Sequence, residues 1–330
     1  MCRTFRWLAT VAAGITVAGA VACTSHAAPT AATAIPRAAG TTTAPTAATA
    51  TGRAGGPCGT TTTAPTYRHV IWIWFENHDI MGSSSAPYFN SIASKCGVAT
   101  NYHNVTHPSL PNYVAATSGI ASLEPFYSDC SPSNECSSSA PSIFGQGETW
   151  KAYEESMSSN CDPSNSGEYA VRHNPPAYYP ALTTCSANDV PYPQLATDLA
   201  SNALPAFSFI TPNLIDDMHD GTIAQGDAWL SSNLPTILAS PEYTSDSTAV
   251  FVTFDEGNDD GQTGENCVAN TSDSSCHVLT IVISPSTAAG STSAIMFSHY
   301  SLLATTEQLL GLPALGRAAS AATMTAAFNL

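Results

Sequence analysis

The sequence predicts an α/β fold, a sandwich built on a mainly parallel β-sheet. Two observations carry this prediction. Four short apolar runs have the composition of strands that are buried on both faces, namely VIWIWF (70–75), AFSFIT (206–211), AVFVTF (249–254) and VLTIVIS (278–284). Helical patterns lie between these runs, at about residues 87–95, 112–118, 224–239 and 300–311. Alternating helices and continuously apolar strands are typical of a parallel sheet that is covered by helices.

The first element of the chain, residues 1–28, has the pattern of an export signal. Arg3 and Arg6 precede the apolar run LATVAAGITVAGAVA, which is short and rich in Gly and Ala for a membrane span. We expect cleavage near Ala27 or Ala28, and lipidation of Cys23 is the weaker alternative. The sequence therefore predicts a secreted, extracellular protein.

Residues 29–66 form the next segment, which consists almost entirely of Ala, Thr, Pro and Gly. Such a composition buries too little apolar surface to offset the entropy of ordering the chain, so it predicts a flexible linker. The remainder, residues 67–330, is long enough for one large domain with a full core.

Cysteines predict a disulfide framework within this domain. Eight remain after the leader, and an even number in an exported chain favours disulfides over metal binding, since no CxxC pair occurs. Proximity along the chain suggests the pairs Cys130–Cys136, Cys161–Cys185 and Cys267–Cys276, which leaves Cys58 for Cys96. Four of these cysteines lie in the Ser/Pro/Asn-rich region 120–190, which we expect to be a loop-rich insertion.

The charge balance restricts the partners of the domain. All 25 acidic residues of the chain lie after residue 57, against five basic ones, which gives the domain a net charge of −20. A nucleic-acid partner is excluded on this ground, because such surfaces need basic patches. An anionic substrate would require metal ions, histidines or helix N-termini to neutralise it.

Carboxylates and a histidine follow three of the predicted strands. Glu76-Asn77 follows the first, Asp216 to Asp220 with His219 follows the second, and Asp255-Glu256 follows the third. In open α/β sheets, ligands bind beyond the carboxyl ends of the strands. Each cluster taken alone fits a solvated loop, but like charges gathered at one edge repel unless a cation lies among them.

The stretch THPSLPNY (106–113) places Ser109 between two prolines, directly before an apolar helical run. A serine hydroxyl needs a base or a metal to become a nucleophile, and the start of a helix favours an anion. No GxSxG motif occurs, which argues against a lipase-type esterase. A metal-activated serine that attacks phosphorus fits this arrangement better.

These segments together resemble a known family. ENHD after the first strand, THPSLPNY, ITPNLIDDMHDGTIAQGDAWL, VTFDEGNDDG and FSHYSLLATTEQLLGLP are similar, in this order, to the bacterial phosphoesterase family of acid phosphatases and phospholipases C. The resemblance covers about residues 67–315 and is nearest to the secreted SapM-type acid phosphatases, which act on phosphatidylinositol 3-phosphate. It implies a three-layer, alkaline-phosphatase-like sandwich and a phosphatase that acts on phosphoric ester bonds.

The resemblance also implies the roles of individual residues and a divalent metal ion, with Ca²⁺, Mg²⁺, Mn²⁺ and Zn²⁺ as candidates and one or two ions per site. Catalytic roles fall to Ser109 as nucleophile and to His107, His219 and His299, and metal binding falls to Glu76, Asn77, Asp217, Asp255 and Glu256. Other histidines of the domain are interpreted as structural, namely His69, His78, His103, His173 and His277.

Two alternatives stay open at this point. A phosphodiesterase of the phospholipase C type would use the same site with a different leaving group. A non-catalytic surface module that binds calcium or carbohydrate through GNDDGQTGEN would leave Ser109 without a role. We expect a monomer that takes a small-molecule or lipid-head-group phosphomonoester, with no nucleic acid and no stable membrane insertion.

Overall fold

A computed structural model describes residues 56–245, 247–258, 261–270 and 272–330 of the chain. The predicted signal peptide (1–28) and residues 29–55 of the predicted linker lie outside the described residues. The strands are β1 (His69–Phe75), β2 (Gly97–Ala99), β3 (Tyr102–His103), β4 (Trp150–Glu154), β5 (Asp189–Pro191), β6 (Phe207–Thr211), β7 (Thr248–Phe254), β8 (Thr280–Ile283), β9 (Thr292–Ser293) and β10 (Phe297–Ser298).

The helices include the four that the sequence pattern predicts. They are α1 (Pro87–Lys95), α2 (Ser109–Ser118), α3 (Cys185–Asn188), α4 (Gln194–Ala200), α5 (Ile223–Leu238), α6 (Pro241–Thr244), α7 (His299–Leu310) and α8 (Thr325–Phe328). Helix α5 begins with a reciprocal capping box between Thr222 and Gln225, which satisfies backbone donors that would otherwise lack a partner. None of the helices in the described part of the chain has both the length and the apolar character that crossing a bilayer requires.

The central sheet has the strand order β5-β4-β6-β1-β7-β8-β2-β9. Strands β5, β4, β6, β1 and β7 are mutually parallel, which confirms the predicted mainly parallel sheet. Strand β8, the predicted VLTIVIS strand, runs antiparallel to both of its neighbours. A continuously apolar run indicates burial on both faces but does not indicate the direction of the strand.

Helices cover both faces of the sheet, as successive side chains of β1 demonstrate. Trp74 packs on Tyr113 of α2, with 4.9 Å between ring centroids. Phe75 points to the opposite face, where it contacts Phe89 of α1 at 5.1 Å and Trp229 of α5 at 5.8 Å. Trp74 and Phe75 are both fully buried, and each stabilises the fold by on the order of 2 kcal/mol relative to an exposed side chain.

The region 120–190 is more than the loop-rich insertion that its composition predicts. It contains β4 and β5, which extend the central sheet on one side, with Ala152 of β4 paired to Phe209 of β6. Most of the region consists of turns and short 3-10 helices with two disulfides, as predicted, but the two strands were not predicted, because β4 (WKAYE) has two charged residues and β5 has only three residues. Strands this short gain their stability from neighbouring strands and not from their own composition.

All four predicted disulfides are present: Cys58–Cys96, Cys130–Cys136, Cys161–Cys185 and Cys267–Cys276. The first of them holds residues of the segment predicted as linker against the domain. Close by, the backbone N–H of Thr60 donates to the Pro285 carbonyl at 2.8 Å. The ordered contacts of the domain therefore begin before residue 67.

Candidate active site

Three carboxylates meet where the adjacent strands β6, β1 and β7 end. Glu76 follows β1, Asp217 lies in the segment after β6, and Asp255 follows β7, and all three are fully buried. Backbone hydrogen bonds fix them to one another: Glu76 N–H donates to the Asp217 carbonyl at 2.9 Å, and Asn77 N–H donates to Asp255 Oδ1 at 3.1 Å. The three carboxylates therefore lie together at one edge of the sheet, as the sequence predicted.

Ser109 is the first residue of α2, three positions earlier than the helical pattern predicts. The Asn112 side chain holds the turn before it, because Oδ1 accepts from the backbone N–H groups of Val105 and Thr106 at 2.9 and 3.1 Å. Ser109 is buried, and its hydroxyl donates to Glu76 Oε2 at 2.9 Å. The stiff Pro-Ser-Leu-Pro turn thus presents a hydroxyl to the carboxylate cluster.

Burial of like charges shifts the pKa values of this cluster upward. Burial, followed by the charges of Asp255 and Asp217, raises the pKa of Glu76 well above its ordinary value. Burial also raises the pKa of Asp217, and it raises that of Asp255 to about 6. The charge of Asp255 disfavours ionisation of Glu76 and Asp217, so a cation among the three carboxylates would relieve this repulsion.

Unpartnered atoms around the carboxylates fit such a cation. Asn77 Oδ1, Asp255 Oδ2 and His173 Nε2 are buried without a hydrogen-bond partner. His173 Nδ1 lies 3.1 Å from Asp217 Oδ2, so the Nδ1–H donates there and the Nε2 lone pair faces Glu76 Oε1 at 3.4 Å. Two electron-rich atoms in contact are unfavourable unless a proton or a metal lies between them. Mixed carboxylate, amide and imidazole donors suit Ca²⁺, Mg²⁺, Mn²⁺ or Zn²⁺.

His173 and Tyr113 belong to the site although the sequence did not indicate them. His173, interpreted as structural from sequence, lies between Glu76 and Asp217. Tyr113 donates its hydroxyl to Glu76 Oε1 and stacks on the His173 ring, with 5.5 Å between centroids. Tyr113 follows Ser109 by four residues and so shares its helix face, a signal that could have identified it. No comparable local signal exists for His173.

His219 lies at the mouth of the site, where its side chain is 28% exposed. Arg172 Nη2 lies 2.9 Å from Nε2, and because Arg can only donate, Nε2 is the acceptor. Nδ1–H then donates to Asp220 Oδ1 at 2.7 Å. In this arrangement Nε2 accepts and Nδ1 donates, and a ligand atom of His219 lies within 4.8 Å of those of Glu76 and His173.

His299 contacts the cluster only through the backbone. Its Nε2 donates to the Asp255 carbonyl at 2.6 Å, and its Nδ1 lies 3.2 Å from the Tyr102 hydroxyl. The ring is fully buried and lies against Trp74, and burial lowers its pKa to about 4. Its two nitrogens are thus engaged with protein groups beside Asp255.

His107 and Glu256 form a second buried pair next to the cluster. His107 Nδ1 lies 2.7 Å from Glu256 Oε2, and His107 Nε2 lies 3.4 Å from Cys267 Sγ. The structure thus groups Ser109, Glu76, Asn77, Asp217 and Asp255 with His219 at the mouth, while it joins Glu256 to His107.

A sequence profile of the phosphoesterase family matches residues 72–313, which include the whole of this cluster. The chain belongs to the phosphoesterase family. This phosphoesterase is 32% identical over 267 residues to a phosphatidylinositol-3-phosphatase of Mycobacterium tuberculosis, with 79% of this chain and 83% of the relative covered. It is 28% identical to an acid phosphatase of Aspergillus fumigatus, with 74% of this chain covered but only 55% of the longer fungal protein. The predicted enzyme class, a hydrolase acting on phosphoric ester bonds, is confirmed.

Solved structures with a similar fold confirm the alkaline-phosphatase-like architecture. A mouse ectonucleotide pyrophosphatase/phosphodiesterase 5 aligns with a TM-score of 0.52 at 12% identity, covering 75% of this phosphoesterase and 96% of the mouse chain. A protein of the alkaline phosphatase superfamily from Vibrio parahaemolyticus aligns with a TM-score of 0.51 at 12% identity, covering 78% and 71%. At this identity the likeness concerns the fold alone.

Proposed function

We propose that this phosphoesterase is an exported phosphomonoesterase, an acid phosphatase that works through a phosphoserine at Ser109. The contact that supports this most directly is the 2.9 Å hydrogen bond from the Ser109 hydroxyl to Glu76 Oε2. It joins a hydroxyl at the start of a ten-residue helix to a carboxylate whose pKa is raised by burial. A base of raised pKa directly beside a hydroxyl is what serine nucleophiles require.

In the first half-reaction, the Ser109 oxygen forms a bond to phosphorus as the bond from phosphorus to the leaving oxygen breaks. The hydroxyl proton passes to Glu76 Oε2, which already accepts it as a hydrogen bond. The leaving oxygen takes a proton from His219, the most exposed of the three candidate histidines, after its Nε2 has exchanged the Arg172 hydrogen bond for a proton from water. Water then attacks the phosphoserine and gives a proton to His219, and the bond from phosphorus to the Ser109 oxygen breaks as Glu76 returns its proton to that oxygen.

The acidic cluster needs a counter-charge before it accepts a phosphoryl group. Glu76 through Oε1, together with Asn77, Asp217 and Asp255, would hold a divalent cation, with His173 Nε2 as a further donor, and Glu76 Oε2 would stay with Ser109. Such an ion, when bound, offsets the charge of the phosphoryl oxygens and lowers the pKa of the serine hydroxyl. Tyr113 and the Asp217–His173 contact hold the surrounding side chains in place.

Two further parts of the proposal concern location and substrate. Four disulfides and the N-terminal pattern of residues 1–28 support a site of action outside the cytoplasm. The Mycobacterium tuberculosis relative makes phosphatidylinositol 3-phosphate the first lipid to test beside soluble monoesters.

The test compares the wild-type protein with Ser109→Ala on a chromogenic phosphomonoester, a diester and vesicles that contain phosphatidylinositol 3-phosphate. Ser118→Ala is the matched control, because Ser118 is a buried serine of the same helix that bonds to the Val114 carbonyl instead. We expect Ser109→Ala to lose monoester turnover and Ser118→Ala to keep it. Acid quenching during turnover, followed by peptide mass spectrometry, should find phosphate on Ser109.

Different outcomes separate the parts of the proposal. Turnover of the diester alone would replace the phosphomonoesterase with a phosphodiesterase. Full activity of Ser109→Ala would remove the phosphoserine from the mechanism. Activity that neither decreases after treatment with a chelator nor increases with added metal would show that the mechanism needs no cation.

A further inference from the structure

Arg172 lies at the mouth of the site, in the turn Val171–His173 that also carries His173. The domain has only five basic residues, and the positive charge of this one acts on Glu76 and Asp217, whose pKa values it lowers. Its Nη2 donates to His219 Nε2 at 2.9 Å, and its Nε lies 4.0 Å from Asp129 Oδ2. The Arg172 side chain is 19% exposed, so a ligand that enters the mouth can reach it.

Asp129 connects this arginine to the nucleophile. Its Oδ1 accepts the backbone N–H of Leu110, the residue after Ser109, at 2.9 Å. The backbone of Asp129 has a φ of 49°, a left-handed conformation, and Cys130 of the 130–136 disulfide follows it directly. The carboxylate is therefore held in place by its own loop, with one oxygen on the start of α2 and the other near Arg172.

The contacts of Asp129 are those that a phosphoryl group at Ser109 would need. A phosphoryl group bonded to the Ser109 oxygen has non-bridging oxygens close to the next backbone N–H, and helix N-termini bind such oxygens well. Guanidinium groups bind carboxylate and phosphate oxygens through the same planar donors. The Leu110 N–H can donate a full hydrogen bond to only one acceptor at a time, so the Asp129 carboxylate and a phosphoryl group would compete for it.

We propose that Arg172 and the Leu110 N–H bind the non-bridging oxygens of the substrate, and that Asp129 is the internal anion which the substrate displaces from them. This inference rests on the proposed phosphomonoesterase function. It assigns Arg172 as a substrate-binding residue and Asp129 as a specificity-determining one. A monoester dianion has three non-bridging oxygens and competes with a carboxylate better than a diester monoanion does, so the exchange favours monoesters.

The test measures the binding of inorganic phosphate, the reaction product, by titration calorimetry in the Ser109→Ala background. Asp129→Asn and Arg172→Met are compared with two controls of equal charge change, Glu124→Gln and Arg68→Met, which alter exposed side chains. Arg172→Lys keeps the charge but loses the planar fork. Circular dichroism confirms the fold of each variant, and Arg172→Lys stands in if Arg172→Met does not fold.

We expect Asp129→Asn to tighten phosphate binding by about tenfold, because a neutral amide competes less well for the two donors. Arg172→Met should weaken it by about a hundredfold and Arg172→Lys by about tenfold, since charge-assisted hydrogen bonds are lost or weakened. In the active protein, Asp129→Asn should also lower the ratio of monoester to diester kcat/KM.

Weaker phosphate binding in Asp129→Asn would overturn the competition and make Asp129 an orienting residue. Unchanged binding in both Arg172→Met and Arg172→Lys would overturn the role of Arg172. Because phosphate binding is measured without turnover, these outcomes do not depend on whether Ser109 is the nucleophile. Failure of the phosphoserine mechanism would instead appear as retained activity of Ser109→Ala.

Discussion

A divalent cation should stabilise this protein strongly, because its binding offsets the repulsion among three buried carboxylates. Glu76, Asp217 and Asp255 are fully buried, burial raises the pKa of all three, and the charge of Asp255 raises those of Glu76 and Asp217 further. A ligand present at a hundred times its dissociation constant adds about 2.7 kcal/mol to the unfolding free energy. For a domain of this size, that corresponds to a rise in Tm of roughly 5 to 10 °C.

The sign of the pH dependence follows from the same pKa shifts. The cation binds ionised carboxylates, and Asp255, with its pKa raised to about 6, holds its proton below that pH. Protons therefore compete with the metal as the pH falls from 7 to 5, and the affinity decreases by up to about tenfold per pH unit for each competing proton. The rise in Tm should be largest at pH 7 and should shrink at pH 5.

Scanning calorimetry of chelator-treated protein, titrated separately with Ca²⁺, Mg²⁺, Mn²⁺ and Zn²⁺ at pH 7, 6 and 5, measures this effect. Asp255→Asn should abolish most of the rise, whereas Glu148→Gln, which removes an exposed charge, should preserve it. If none of the four ions raises Tm at pH 7, these carboxylates do not bind a divalent cation. An equal rise in Asp255→Asn would place the ion elsewhere in the protein.

Three further predictions concern single contacts. Tyr113→Phe removes a hydrogen bond that lowers the pKa of Glu76. The acid limb of the pH–rate profile, measured by stopped flow, should therefore move to higher pH. An unchanged acid limb would contradict this. Burial raises the pKa of Asp189 from 3.8 to about 7, so its proton stabilises the fold below pH 4, and this contribution is lost as the pH rises to 7. In urea unfolding, the unfolding free energy of the wild-type protein should fall by up to about 1.4 kcal/mol per pH unit between pH 4 and 7, and this fall should be absent in Asp189→Asn. The same pH dependence in both proteins would contradict the raised pKa. Replacing Cys58 and Cys96 together by Ala should lower the unfolding free energy by roughly 4 kcal/mol with kcat unchanged, because the disulfide closes a loop with a sequence separation of 38 residues. No loss of stability would mean that this crosslink does not constrain the unfolded chain.

The sequence by itself determined the scaffold and the first carboxylates of the site. Four apolar runs were long enough to identify strands, and the general rule for parallel sheets placed Glu76, Asp217 and Asp255 at one edge. Ser109 was recognisable because two prolines and a following helix constrain the turn around it. The disulfide pairs followed from proximity along the chain. All of these features are local, or they depend on a rule that holds for every open α/β sheet.

Tertiary structure alone decided what surrounds each of these groups. His173 lies 97 residues after Glu76 and 82 residues before Asp255. Only the packing of its turn against the sheet therefore brings it to the carboxylates. Likewise, the antiparallel direction of β8 depends on its partner strands. Whether a histidine contacts solvent, a carbonyl or a carboxylate depends on neighbours that are distant in sequence. The sequence therefore determined which chemical groups reach the site, and the long-range contacts decided which of them are buried, paired or open to a ligand.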